Sequence, residues 1–357
     1  MKQSALALAV LAALSLNHSV FAQSNVQVYG LIDAGVEYVN HAGEDGGKGG
    51  GNILRVISGG KNTSRWGFRG SEDLKGGLKA VWQLEGGILM DTGESDGAVF
   101  KRQAWVGLDG SLGRLVIGRS FTTTYELVIK FDPLGFAPNY SWATGASATG
   151  PSKYGMTTQF DNLVKYTGKS GGFTYGATIG LGERAGSLAE GRKLALGGSW
   201  FGEGGLGLMA AYERINGIAV AGVPARDDTA AYHLAADYQT GEWRYTAGMR
   251  GYRLDAARAG ADLRADTYWG GISRTIDDVT LTGAVYHVDT GDVPDVGDAD
   301  PTMFVVRGML ALSKRTTLYL SAAHAKADHG QLVGLSRDDP GFGSTQTGVT
   351  AGIQHRF

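Results

Sequence analysis

Few side chains in this sequence are arranged for bond-making chemistry. Six histidines follow residue 22, at 41, 233, 287, 324, 329 and 355, and none has the spacing of a metal-ligand set. There is no H-E-x-x-H, no G-x-S-x-G and no glycine-rich loop ending in G-K-[ST]. The stretch "GLGLMA" at 205–210 resembles a dinucleotide-binding turn, but it lies in an alternating run with no helix after it. The chain has no cysteine, which excludes thiolate metal sites and cysteine nucleophiles. No cofactor is expected. What remains is fixed charge, 33 Lys and Arg against 35 Asp and Glu. Arg65 and Arg69 share one side of an alternating run whose other side carries Trp66 and Phe68. Charges held in rows on a wall steer and sort ions; they do not make or break bonds.

Composition narrows what could hold such a wall. A net charge of −2 argues against a nucleic-acid partner. Glycine reaches 58 residues against 7 prolines with no G-x-y period, and aromatics make up 10%, which excludes both collagen and a disordered chain. The N-terminus "MKQSALALAVLAALSLNHSVFAQ" has one Lys and an apolar stretch from Ala5 to Leu16. Val20 and Ala22 then flank Phe21 at cleavage-site spacing. It reads as a secretory signal peptide over 1–22, leaving 23–357 as one domain. Beyond it no run of 18 apolar residues offers a membrane helix.

Alternation of apolar and polar residues recurs from end to end. "FTYGATIGLG" sets Phe173, Tyr175, Ala177, Ile179 and Leu181 against Thr174, Gly176, Thr178, Gly180 and Gly182. Sixteen such segments begin near 25, 53, 77, 100, 113, 160, 172, 191, 205, 228, 243, 264, 279, 302, 316 and 345. Their connections alternate long and short, so a meander would gather all short turns at one rim and all long loops at the other. An even strand number with that asymmetry marks a transmembrane β-barrel. Hydrocarbon tolerates no open sheet edge, so the first strand must pair with the last, "GVTAGIQHRF". Phe357 would then sit in an aromatic girdle at the short-turn rim with Tyr29, Trp243 and Tyr245. A secreted sandwich or solenoid also alternates, but need not segregate its loops by length.

Five stretches in order and spacing, "VQVYGLIDAGVEY", "SRWGFRGSEDLKGGLKAVWQLE", "KRQAWVGLDGSLGRLVIGRS", "DNLVKY" and "GIQHRF", resemble the general trimeric porins of Gram-negative outer membranes. The resemblance implies an all-β fold, a closed antiparallel 16-stranded transmembrane barrel whose third long loop, here 120–160, folds inward to narrow the pore. It implies acidic residues on that loop, corresponding to Glu126 and Asp132, facing basic residues on the wall. Parity turns Arg65 and Arg69 inward. The resemblance places Arg102 in the lumen with Trp105 outside, and Tyr166 outward turns Lys165 inward. A charge on the lipid face near the midplane costs roughly 2–4 kcal/mol, which favours these placements. For Arg69 and Lys165 the alternative is a rim position snorkelling to headgroups.

The expected function is a water-filled outer-membrane channel for passive diffusion of ions and small hydrophilic solutes, without enzymatic activity. The alternative is a barrel that anchors an enzyme or adhesin. Glu126 and Asp132 balance Lys130 and Lys153 on the loop, while the wall adds Arg65, Arg69, Arg102 and Lys165 against Asp33 and Glu37. The net positive sum predicts a weak anion preference. The resemblance further implies a homotrimer, with Glu94 of the second long loop reaching a neighbour and Arg119 as partner for its carboxylates. It also implies contact with outer-membrane lipid and lipopolysaccharide, and recognition of Phe357 by the outer-membrane assembly machinery.

Overall fold

The structure, a computed structural model, describes residues 25–42, 50–143, 156–219, 226–291, 300–329, 332–336 and 343–357. The expected signal peptide and Lys153 lie outside these residues. The strands are β1 (Asn25–Val39), β2 (Ile53–Ser58), β3 (Arg65–Asp73), β4 (Lys79–Gly87), β5 (Gln103–Gly110), β6 (Gly113–Phe121), β7 (Gln159–Ser170), β8 (Phe173–Gly180) and β9 (Lys193–Phe201). They continue with β10 (Leu206–Asn216), β11 (Asp228–Thr240), β12 (Trp243–Asp255), β13 (Leu263–Ile276), β14 (Val279–Gly291), β15 (Thr302–Ala311), β16 (Thr316–Lys326) and β17 (Thr345–Arg356). Each strand pairs antiparallel with the next, apart from the second and third, and β17 returns to β1 in the register Ala34↔Ile353, closing the sheet. The terminal strand is therefore the seam.

The second and third strands are halves of one stave. β1 pairs with β2 from Ala34↔Ser58 to Val39↔Ile53, and with β3 from Asn25↔Ser71 to Leu31↔Arg65. The barrel thus has sixteen staves, as the alternation predicts. Residues 59–64 interrupt the stave and are gathered onto Asp33. Gly59 N donates to the Asp33 carbonyl at 2.8 Å, Ser64 Oγ to the same oxygen at 2.9 Å, and Asn62 N to the carboxylate at 2.8 Å. Gly59 has φ +89°, and a Cβ there would lie 2.6 Å from the Asn62 carbonyl, so the turn requires glycine.

Strand parity divides the wall as a membrane demands. Val26, Val28, Leu54, Val56, Val106, Ile117, Phe304, Val306 and Leu320 are each at least half exposed and share the outer face. Such a continuous apolar exterior belongs against lipid. On the inner face of the wall, Asp33, Glu37, Glu85 and Arg307 are buried. The short-turn rim carries Tyr238, Trp243 and Tyr245 outward, with Trp243 and Tyr245 stacked at 6.4 Å. Gly30 pairs with Phe357 across the seam, and a Cβ on Gly30 would run into the Phe357 ring. The missing side chain is the seat of that ring. Tyr29, expected in the girdle, instead has the inward parity of Asp33 and hydrogen-bonds Glu85. Trp105 also departs from expectation. Val106 and Leu108 take the outer face, and Trp105 turns inward onto the cluster of Val116, Phe160 and Leu163.

The third long loop enters the barrel. Thr122 caps the short helix α1 (Thr123–Val128), its Oγ1 accepting from Tyr125 N at 3.1 Å. The chain then follows the inner wall. Tyr212 of β10, Trp269 of β13, Tyr286 of β14, Arg307 of β15, and Thr350 and Glu37 at the seam each bond a loop residue in turn. Loop residues Leu127, Val128, Phe131, Leu134, Tyr140 and Trp142 pack on Ala265, Ala284, Val288, Met303, Val305 and Ala323. Among the described residues, the half of the interior along β10–β16 is therefore largely filled by the loop. Val333 and Leu335 of the last long loop join it.

Candidate pore constriction

Open space is left on the other half, between the loop and the wall from β3 to β8. Among the described residues it includes two cavities of about 950 and 650 Å³ that share Gln83, Gln103, Phe121, Tyr125 and Ile129. The larger is centred on Glu85, which pairs with Gly67 and Gln103 on the neighbouring strands. Its Oε1 accepts from Arg102 Nε at 2.8 Å and its Oε2 from the Tyr29 hydroxyl at 2.8 Å, with Arg65 Nε 3.9 Å away. One carboxylate, 3% exposed, thus serves two guanidiniums. Arg69 stands two repeats of the pleat beyond Arg65, donating to Gln27 at 2.8 Å and lying over the Tyr29 ring. Arg102 reaches the lumen because it precedes β5 and is free of the strand's parity.

Across the space the loop is held by charge. Lys165, 6% exposed, points inward and donates to Glu126 at 2.7 Å, to the Phe121 carbonyl at 3.0 Å and to Ser120 at 3.1 Å. Those three contacts spend both charges on fastening α1 to β7. Asp132 is deeper. It is 1% exposed and accepts from the Tyr286 hydroxyl, Ser141 Oγ and the backbone amides of Leu134 and Phe136. Its place is the anchorage of the loop on β14, away from the open passage. Lys130 faces the smaller cavity, where burial and then the Lys169 ammonium lower its pKa while Glu126 opposes them. Arg65, Arg102 and Arg69 are brought together; Lys165 and Glu126 meet each other on the opposite side.

Sequence reasoning missed four groups that line the larger cavity: Glu85, Lys101, Arg356 and Arg119 in that setting. Glu85 had a visible signal, since it shares parity with Gln83. Arg119, expected at a subunit contact, is paired with Asp161 of its own chain and donates to the Lys101 carbonyl. The pairing of β6 with β7 shifts register between Gly118 and Ser120, beside Arg119. Glu94 is exposed, on a loop that folds back through Leu89 N donating to its carbonyl at 2.8 Å.

A closed barrel, apolar outside and charged inside, with a loop folded into its lumen, defines an outer-membrane channel. The chain belongs to the Gram-negative porin family, whose sequence profile matches residues 7–330. It is 31% identical to outer membrane porin protein 32 of Delftia acidovorans and 29% identical to an outer membrane porin protein of Bordetella pertussis, over the full length of all three. Among solved structures it is similar to the anion-selective porin from Comamonas acidovorans, with a TM-score of 0.78 and 27% identity over 94% of this chain and all of that one. The trimer form of OmpT from Vibrio cholerae shares the fold at a TM-score of 0.67 and 16% identity, covering 94% of this chain and 99% of that one. This protein is a porin of the outer membrane, forming a channel for passive diffusion.

Proposed function

We propose that the channel passes anions in preference to cations, and that Arg65, Arg69 and Arg102 form the basic side of its constriction. The observation that carries this is the charge count of the larger cavity. Arg65, Arg69, Arg102 and Arg356 line it against Glu85, while Lys101 is paired with Asp96 and Arg119 with Asp161, which leaves four basic side chains to one acidic. A narrow passage with low-dielectric walls turns such an imbalance into selectivity. Lys165 and Glu126 set the loop position and cancel as charges. The similar Comamonas porin is described as anion-selective, which agrees with this reading.

The test is the reversal potential of purified channels across a KCl gradient. A potential favouring chloride supports the proposal, and one favouring potassium overturns it. The preference should shrink at high salt, where the screening length falls to about 3 Å at 1 M. We further propose cleavage of residues 1–22 on export, a homotrimer in which the exposed Glu94 loop touches a neighbour, and Phe357 as the assembly signal. An oligomer that dissociates on heating in a denaturing gel is the expected result; a monomer under mild extraction overturns the trimer.

A further inference from the structure

The loop side of the constriction presents rings where carboxylates were expected. Glu126 is turned to Lys165 and Asp132 is buried beneath its donors. The larger cavity is instead lined beside the arginines by Phe121, at the end of β6, and by Tyr125 and Phe136 of the loop. Phe121 and Tyr125 stack at 4.6 Å with an interplanar angle of 23°, and Phe136 stands edge-on to Tyr125 at 5.0 Å. The Arg102 guanidinium lies over the Phe121 ring, 5.4 Å from its centroid. The passage thus has basic and aromatic side chains side by side, joined where Arg102 lies over Phe121.

Chloride or phosphate engages only the basic wall and leaves Arg102 seated over Phe121. A planar organic anion engages both, with its carboxylate taken in the forked geometry that guanidinium offers and its ring laid on an aromatic face. Resting on the anion preference stated above, we propose that the constriction is a binding subsite for aromatic carboxylates, the ring taking the place of the Arg102 guanidinium over Phe121 and the carboxylate held by Arg65 and Arg102. Such solutes pass by dwelling there, so they reduce the flow of smaller ions while they occupy the site.

The probe is benzoate, added to single wild-type channels in dilute KCl, with cyclohexanecarboxylate, acetate and benzyl alcohol as comparisons. Benzoate should reduce the chloride current at a concentration about five-fold below cyclohexanecarboxylate, the scale of an aromatic pairing. Cyclohexanecarboxylate is the more apolar of the two, so simple partition into an apolar patch predicts the reverse order. Acetate, lacking the ring, and benzyl alcohol, lacking the charge, should not act in that range. Phe121→Leu should bring benzoate to the level of cyclohexanecarboxylate. If that variant fails to assemble, the wild-type comparison still decides. Equal block by the two ring acids in a channel that prefers chloride sinks the subsite alone. A wild-type channel that prefers potassium instead removes the anion preference on which the subsite rests.

Discussion

Glu85 is the acidic side chain at the centre of the basic wall, so neutralising it should sharpen anion preference. Glu85→Gln keeps the shape and an acceptor for the Tyr29 hydroxyl while removing one negative charge. A unit charge about 7 Å from a passing ion in water contributes ~0.6 kcal/mol, and screening at 0.1 M salt reduces that to ~0.3 kcal/mol. Removing it lowers the energy of an anion and raises that of a cation by this amount each. The chloride-to-potassium permeability ratio should then rise about three-fold, and by more if the low-dielectric wall strengthens the field. Arg65 and Arg102 lose their shared partner, at a cost of roughly 1.5–3 kcal/mol for charged hydrogen bonds, so heat-modified gel mobility should accompany the recording to confirm assembly. Reversal potentials of wild type and variant under one KCl gradient give the ratio. A ratio unchanged or lowered in an assembled variant means that the Glu85 charge is not felt in the ion path.

Asp132→Ala strips the acceptor from Tyr286, Ser141, Leu134 N and Phe136 N inside the loop-filled interior, at about 1–3 kcal/mol for each donor left unpaired. The loop should loosen, and single-channel traces should become noisier; a trace identical to wild type counts against the anchor. Phe357→Asp should lower the amount of barrel in the outer membrane, with little change in the conductance of channels that do form; normal abundance refutes the assembly role. Burial and the Lys169 charge favour neutral Lys130, so it sheds its proton below the ordinary lysine range as pH rises. Anion preference should therefore begin to fall at a pH below the ordinary lysine range, and Lys130→Arg should postpone that fall. Identical pH curves for wild type and Lys130→Arg would exclude Lys130 from the conducting field.

Strands, rims and seam were legible because lipid enforces alternation and closure, as Val26, Val28 and the Ala34↔Ile353 pairing illustrate. The break at 59–64 was not. Its six residues preserve parity, so Leu54 and Val56 before it and Trp66 and Phe68 after it still read as one continuous run. Arg65 and Arg69 followed from parity and Arg102 from the family resemblance, whereas the roles of Asp132 and Trp105 followed from neither. Parity separates inside from outside, but it does not tell a wet interior from a dry one. Here the loop makes half of the lumen a core, so inward positions such as Ala265, Ala284, Met303 and Ala323 are apolar. Tyr29 was misplaced for want of its partner, since only the folded register brings Glu85 beside it.

The central claim is that ions travel between the loop and the arginine-bearing wall, on one side of the barrel only. The chain has no cysteine, so a single introduced thiol reports its own surroundings. Gln83 lies where the two cavities join, and Ala323 is buried beneath the loop at 4% exposure. The measurement is the loss of current when Gln83→Cys and Ala323→Cys channels meet negatively and positively charged thiosulfonates of similar size. Gln83→Cys should be blocked by both, faster by the negative reagent, and Ala323→Cys by neither. Rapid block at Ala323→Cys, or faster block of Gln83→Cys by the positive reagent, would contradict the path or its charge.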